Sequence, residues 1–152
     1  MGLSFPERPQ RIKAIKALLE KEGIWDVADK LLYRRLVTKE EACLAHTEKH
    51  WLDLEKLSTM SPDEREEWNK KNADFSLFCC ADTWDAARLA AGGVLVAIDH
   101  IFVDGFRGVI FCWIRPPAHH ASHCQADGFC FLNSCAIAAK HAVSSKLYLK
   151  HD

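Results

Sequence analysis

The chain has 152 residues, of which 49% are hydrophobic, so its length and apolar content favour a packed core over disorder. Lys and Arg number 20 against 21 Asp and Glu, which gives a formal net charge of −1. This balance provides no basic excess for direct binding of nucleic acid and no polybasic segment for a membrane surface.

Cysteine usage and hydropathy bound the setting of the chain. The 7 cysteines are odd in number and several lie in apolar segments, which indicates free thiols rather than a disulfide framework. The first residues carry prolines and charges instead of an apolar signal segment. The longest apolar stretch, residues 89–98, contains two glycines and is too short to span a bilayer. We therefore expect a reduced, intracellular protein with no membrane partner.

The first two thirds of the chain predict helices. Apolar residues at helical spacing between Pro9 and Gly23 indicate an amphipathic helix. Thr38 and Ser61 each precede a glutamate by three residues, the capping-box pattern that opens a helix. Residues 83–98 predict a helix of small apolar side chains, whose central pair of glycines is typical of close backbone packing.

The last third predicts a strand, a loop and a helix. Residues 108–114 (GVIFCWI) form a short, continuous apolar run, which is typical of a strand covered on both faces. Asn133 is a candidate N-cap for a helix that runs to Ala142, and residues 146–149 begin a further candidate strand. The order of these elements predicts an α/β fold that contains the opening section of a parallel sheet.

Two adjacent histidines, His119 and His120, follow the predicted strand. In α/β proteins, chemistry is concentrated in loops beyond the carboxyl ends of buried strands. The alternatives are two polar loop residues, or a metal cluster formed with His123 and Cys124. Adjacent ligands converge poorly on a tetrahedral ion, which disfavours the cluster. Four further histidines are interpreted as ordinary surface or helix residues: His46, His50, His100 and His141.

Five blocks in the sequence resemble the histone deacetylase family, and within it the class II branch. His123 and Asp127-Gly128 resemble the connecting loop of its class IIb members. Residues 115–121 (RPPAHHA) match the family pattern Arg-Pro-Pro-Gly-His-His-Ala, with Ala118 in place of glycine. Residues 128–133 (GFCFLN) match Gly-Phe-Cys-Phe-x-Asn, and residues 6–11 resemble the family's opening motif, with Phe5 in place of histidine. Residues 42–50 and 82–95 also resemble family segments. The resemblance covers nearly the whole chain but only the amino-terminal portion of the family domain.

The resemblance implies an activity and a set of roles. Family members are zinc-dependent amide hydrolases that remove acetyl groups from lysine in histones or other proteins, and so regulate chromatin and transcription in the nucleus or cytoplasm. His120 would be the general base and His119 its partner, while Gly128 and Phe129 would form part of the channel for the acetyl-lysine side chain. By a weaker local match, Ser76 would bind the substrate backbone, and Arg11 would lie near the bottom of the pocket.

The resemblance also implies that this chain is part of a larger domain. We expect residues 1–152 to be the amino-terminal portion of a parallel-sheet, three-layer arginase/deacetylase-like fold, truncated before the zinc ligands. The chain alone is therefore expected to bind no zinc and to be catalytically incomplete. The alternative is a non-catalytic module derived from a deacetylase, in which a protein partner covers the exposed sheet.

Overall fold

The computed structural model describes residues 6–30 and 34–145, which fall into two compact units, Met1–Tyr33 and Arg34–Asp152. In the first unit, helix α1 spans Gln10–Lys21 and helix α2 spans Ile24–Val27. Gly23 separates the two helices with φ of +71°, a left-handed conformation that glycine adopts without strain. The helix predicted between Pro9 and Gly23 is therefore confirmed.

Within residues 34–145, the described part of the second unit, the regular elements are helices. Its helices are α3 (Lys39–Ala42), α4 (Glu48–Glu55), α5 (Pro62–Lys71), α6 (Thr83–Phe102) and α7 (Ser134–Ser144). Two 3-10 turns, Lys56–Ser58 and Ala73–Phe75, follow α4 and α5. Both predicted capping boxes form. The side chains of Thr38 and Ser61 accept from the backbone N–H groups of Glu41 and Glu64, and each glutamate carboxylate accepts from the backbone N–H of its N-cap residue.

Helix α6 is the centre of this unit. Its buried face packs against α7 and the turn after α4, and the shared core also includes Trp51, Leu57 and Ile137. The segment around Arg35, which precedes α3, crosses α6 at Gly92. A Cβ on Gly92 would lie 2.0 Å from the backbone oxygen of Arg35. The close approach predicted from the glycine pair is therefore present at Gly92. Among the described helices, none has the length and apolar character needed to cross a bilayer.

The predicted strand at residues 108–114 is wrong for this structure. The segment is irregular, and Val109 and Phe111 are 94% and 66% exposed rather than covered. Ile114 N donates locally to Cys112 O at 3.1 Å instead of pairing with another strand. An apolar run can form a buried strand only beside a hydrogen-bonding neighbour. Within residues 6–30 and 34–145 the β-structure is limited to one antiparallel bridge, between Asp127 and Cys130, so the parallel sheet is not confirmed. The candidate strand at 146–149 lies outside the described residues.

Candidate functional site

The histidine pair lies in the long loop that leads into α7, and Asn133 ties this loop to the helix. Its side-chain oxygen accepts from Ala136 N at 2.9 Å, which confirms the predicted N-cap. Its Nδ2 donates to Ala121 O at 2.9 Å and to His119 O at 3.4 Å. One amide side chain therefore caps α7 and holds the backbone of the histidine pair.

Cys130 supports the same backbone from below. The residue is fully buried, and its Sγ accepts from the backbone N–H groups of His119 at 3.3 Å and His120 at 3.4 Å. Its thiol donates to Gly128 O at 3.4 Å. The apolar surroundings of Cys130 in the sequence predict a small, buried, hydrophobic side chain. The burial is confirmed, but the sequence pattern does not predict the hydrogen bonds of the thiol.

The two imidazoles are exposed and close together, with ring centroids 4.2 Å apart and planes inclined by 48°. The backbone of Gly128 packs against the second ring, because a Cβ on Gly128 would lie 2.8 Å from Cγ of His120. A glycine is needed there for two reasons: the lack of space, and a φ of +50°. The motif glycine thus fixes where the His120 ring lies.

Gly128 and Phe129 form the tip of a tight hairpin turn. Asp127 N donates to Cys130 O at 3.1 Å and Cys130 N donates to Asp127 O at 2.8 Å, while Phe129 has φ of +67°. Two consecutive positive φ angles are typical of a type I′ turn. A non-glycine residue in this region costs about 1–3 kcal/mol, and such residues cluster at functional sites.

The turn after α5 contacts this hairpin. Phe75 O accepts from Gly128 N at 3.0 Å, and the next residue, Ser76, adopts φ of +54°. The structure therefore brings the Ser76 turn beside the Gly128–Phe129 hairpin, across some 50 residues of sequence. Arg11 lies in the first unit, in α1, where its exposed guanidinium pairs with Glu7. Its predicted position near the bottom of a pocket stays a prediction.

Two histidines with no functional role predicted from the sequence are buried beneath the loop. His46 is 2% exposed and lies outside the helices, so its interpretation as a surface or helix residue is wrong. His50 is a helix residue of α4, as predicted, but it is only 5% exposed. Burial lowers the pKa of His46 to about 4, helped by the proximity of His50, and burial also lowers the pKa of His50. Their spacing of four residues can bring two side chains together at the start of a helix, and this spacing is the signal that the sequence carried.

Comparison with known proteins identifies the family. A sequence profile described as the histone deacetylase domain matches residues 5–150. The chain belongs to the histone deacetylase domain family. It is 37% identical to histone deacetylase 6 of Caenorhabditis elegans over 141 residues, which cover 91% of this chain and 15% of that protein. It is 30% identical to polyamine deacetylase HDAC10 of Rattus norvegicus over 136 residues, covering 90% of this chain and 22% of that protein. This family member thus spans less than a quarter of either relative.

A solved structure supports the relationship. The crystal structure of the HDA15 HD domain aligns with a TM-score of 0.78 and 29% identity, over 95% of this chain and 38% of that chain. The deacetylase fold is therefore shared over the aligned part, although the described residues lack the predicted sheet.

The zinc ion implied by the family can be tested against the donors that are present. Within residues 6–30 and 34–145, no three His, Cys, Asp or Glu side chains form a group able to hold a metal ion. The histidine pair, even with nearby His123 and Cys124, therefore does not fit a zinc site. The alternative metal cluster finds no support in this geometry.

Proposed function

We propose that this chain carries the proton-transfer pair and part of the substrate channel of a deacetylase that hydrolyses acetyl-lysine amides. The proposal depends on one observation: two exposed imidazoles lie 4.2 Å apart on a backbone that Cys130 and Asn133 hold by hydrogen bonds. A held backbone limits the positions from which the two exposed rings can reach a substrate, and defined positions favour general acid–base catalysis.

The proposed chemistry is amide hydrolysis with two proton transfers. His120 would accept a proton from the attacking water as its oxygen bonds to the acetyl carbon. The C–N bond then breaks, and the departing lysine amine takes a proton from the histidine pair. Imidazole suits both steps because it exchanges protons near cellular pH. His119 would share the charge and the proton, since its ring lies against that of His120.

The hairpin and its neighbouring turn would bind the substrate. Phe129 provides an apolar ring for the methylene groups of the lysine side chain, and Gly128 leaves the space that the His120 ring occupies. Ser76 would accept or donate a hydrogen bond at the substrate backbone, and its turn already contacts the hairpin through Phe75 O. Arg11 is proposed to contribute to the bottom of the pocket.

We further propose that residues 1–152 are the amino-terminal portion of a deacetylase domain with a parallel sheet and a zinc ion. The 38% coverage of the HDA15 HD domain supports this. The proposed substrates are acetylated histones or other acetyl-lysine proteins in the nucleus or cytoplasm. The name of the polyamine deacetylase relative adds a second substrate class, acetylated polyamines, for the test.

The experiment combines metal binding, substrate binding and turnover on the purified chain. We expect zinc calorimetry to show no stoichiometric binding and an acetyl-lysine peptide assay to show no turnover. An acetyl-lysine peptide should nevertheless shift the amide resonances of Ser76, His120 and Phe129, whereas the unacetylated peptide should not. Equal effects from both peptides would refute the channel. Larger shifts with N-acetylputrescine would reassign its substrate, and zinc-dependent turnover would refute the expected incompleteness.

A second candidate function is a non-catalytic interaction module. The observation that favours it is the exposed apolar segment around Val109 and Phe111. A protein partner would cover this segment instead of the exposed sheet that the sequence predicted. If this is the function, substitution of both residues by serine should abolish partner capture, while His120→Ala should leave capture unchanged. Binding that survives the double substitution would exclude this surface.

A further inference from the structure

Two buried imidazoles lie beneath the histidine-pair loop, at the start of α4. His46 precedes the N-cap Thr47, His50 lies in the first turn, and their ring centroids are 4.8 Å apart. Both rings reach backbone groups about 80 residues further along the chain rather than groups of their own helix. Buried polar side chains that make such long-range bonds fix one segment against another.

The contacts of His46 determine its protonation. Asn133 N can only donate, and it lies 2.9 Å from Nε2 of His46, so Nε2 must be unprotonated. The proton of the neutral ring is then on Nδ1, which faces His123 O at 3.3 Å. Thr47 N donates to the same carbonyl at 3.0 Å. His46 therefore bonds to two points of the loop, on either side of the hairpin.

His50 makes a third contact with the loop. Its Nε2 lies 2.9 Å from Phe131 O, a group that can only accept, so this ring carries its proton on Nε2. Phe131 lies between the hairpin and Asn133 in the sequence. The two histidines therefore have opposite tautomers, each set by the backbone group that it meets.

Asn133 connects His46 to the proposed catalytic pair. Its backbone N–H is held by His46, while its side chain donates to His119 O and Ala121 O. If the backbone of Asn133 rotated, its side-chain amide would lose its hydrogen bonds to both carbonyls. The orientation of Asn133 therefore affects the position of the segment that carries the two imidazoles. The path from His46 to His119 consists of two hydrogen bonds through one residue.

We propose that His46 is a positioning residue for the His119–His120 pair, acting through the backbone and side chain of Asn133. The inference depends on the function proposed above for that pair. His46 needs its acceptor nitrogen free at cellular pH, and the burial that lowers its pKa to about 4 keeps the ring neutral there. A buried histidine with only a space-filling role would not require one tautomer or an acceptor at Nε2.

The test compares two variants of the chain by amide hydrogen exchange. His46→Phe fills the volume but removes the acceptor, and we expect roughly tenfold faster exchange at Asn133 with shifted resonances at His119 and His120. His46→Gln can place its Oε1 near the position of Nε2, and it should restore most of the protection and the resonances. Rescue by glutamine but not phenylalanine separates positioning from packing.

A matched control tests whether any lost histidine has the same effect. His141 bonds to Asp99 at 2.8 Å in the second half of α7, away from the N-cap end that Asn133 occupies. His141→Phe should therefore leave exchange at Asn133 and the resonances of the pair unchanged. If it moves them as much as His46→Phe does, the effect is general destabilisation and the proposal fails.

One measurement needs no substitution. Long-range ¹H–¹⁵N spectra of the unmodified chain at pH 7 should show the Nε2 of His46 unprotonated and its Nδ1 protonated. A proton on Nε2 would overturn the proposal even if a variant failed to fold. None of these readouts uses peptide binding or turnover. Equal effects of the acetylated and unacetylated peptides would therefore refute the proposed function, while the His46 contacts are decided separately.

Discussion

Lowering the pH from 7 to 5 is expected to destabilise the Arg34–Asp152 unit through His46. In the folded chain the pKa of His46 is lowered from 6.5 to about 4, because the ring is 2% exposed and lies beside His50. In the unfolded chain the ring takes up its proton near its ordinary pKa of about 6.5. Between these values the unfolded state binds more protons, so the free energy of unfolding decreases as the pH falls.

The magnitude follows from the size of the shift. Each pKa unit corresponds to about 1.4 kcal/mol, so His46 accounts for a loss of about 3 kcal/mol across the whole interval from pH 6.5 to pH 4. About 2 kcal/mol of this should be lost by pH 5. Above pH 6.5 the neutral His46 ring makes its full contribution to the free energy of unfolding. Below pH 4 the loss is complete and the free energy does not decrease further through this residue. His50, whose pKa is also lowered, changes stability in the same direction.

Urea unfolding at pH 7, 6 and 5 measures this dependence. The wild-type chain should lose about 2 kcal/mol more between pH 7 and pH 5 than His46→Gln, which has no imidazole at this position. The His141→Gln variant serves as the control. It keeps His46, so its free energy of unfolding should show the same contribution of His46 between pH 7 and pH 5 as the wild-type chain. If wild type and His46→Gln lose the same free energy over this interval, the assignment of the acid sensitivity to His46 is refuted.

Two pairs of glycines give matched tests of close packing. Gly128→Ala should lower the free energy of unfolding by about 2 kcal/mol and displace the His120 ring, because the new Cβ would lie 2.8 Å from that ring. Gly105 has φ of +72° but open space around it, so Gly105→Ala should cost only the backbone strain of about 1 kcal/mol. Urea unfolding and the His120 side-chain resonances check both, and equal costs with an unmoved ring would contradict the steric role. Gly92→Ala should cost about 3 kcal/mol or more, while Gly93→Ala, whose new Cβ meets Ile114 Cγ2 at an ordinary 3.8 Å, should stabilise α6 by up to about 1 kcal/mol. Thermal denaturation separates them, and similar melting temperatures would rule out the close approach at Gly92.

Much of the candidate site could be predicted from the sequence because its motifs are local. The adjacent histidines, the glycine of the hairpin and the Asn133 cap lie within 15 residues, and the structure holds them together by short-range hydrogen bonds. The roles of Cys130 and His46 could not be predicted in this way. A thiol or an imidazole in an apolar segment has the same sequence pattern whether it only fills space or accepts a backbone hydrogen bond.

The sequence by itself predicted the family of this chain and five of its described helices, α1, α3, α5, α6 and α7. Capping residues such as Thr38 and Ser61, and the small-residue pattern of α6, act through neighbours three or four positions away, so their effect does not depend on the rest of the fold. Only the tertiary structure decided that residues 108–114 stay irregular and that His46 and His50 are buried. A strand needs a partner and a buried imidazole needs a bonded group, and both are supplied by segments distant in sequence.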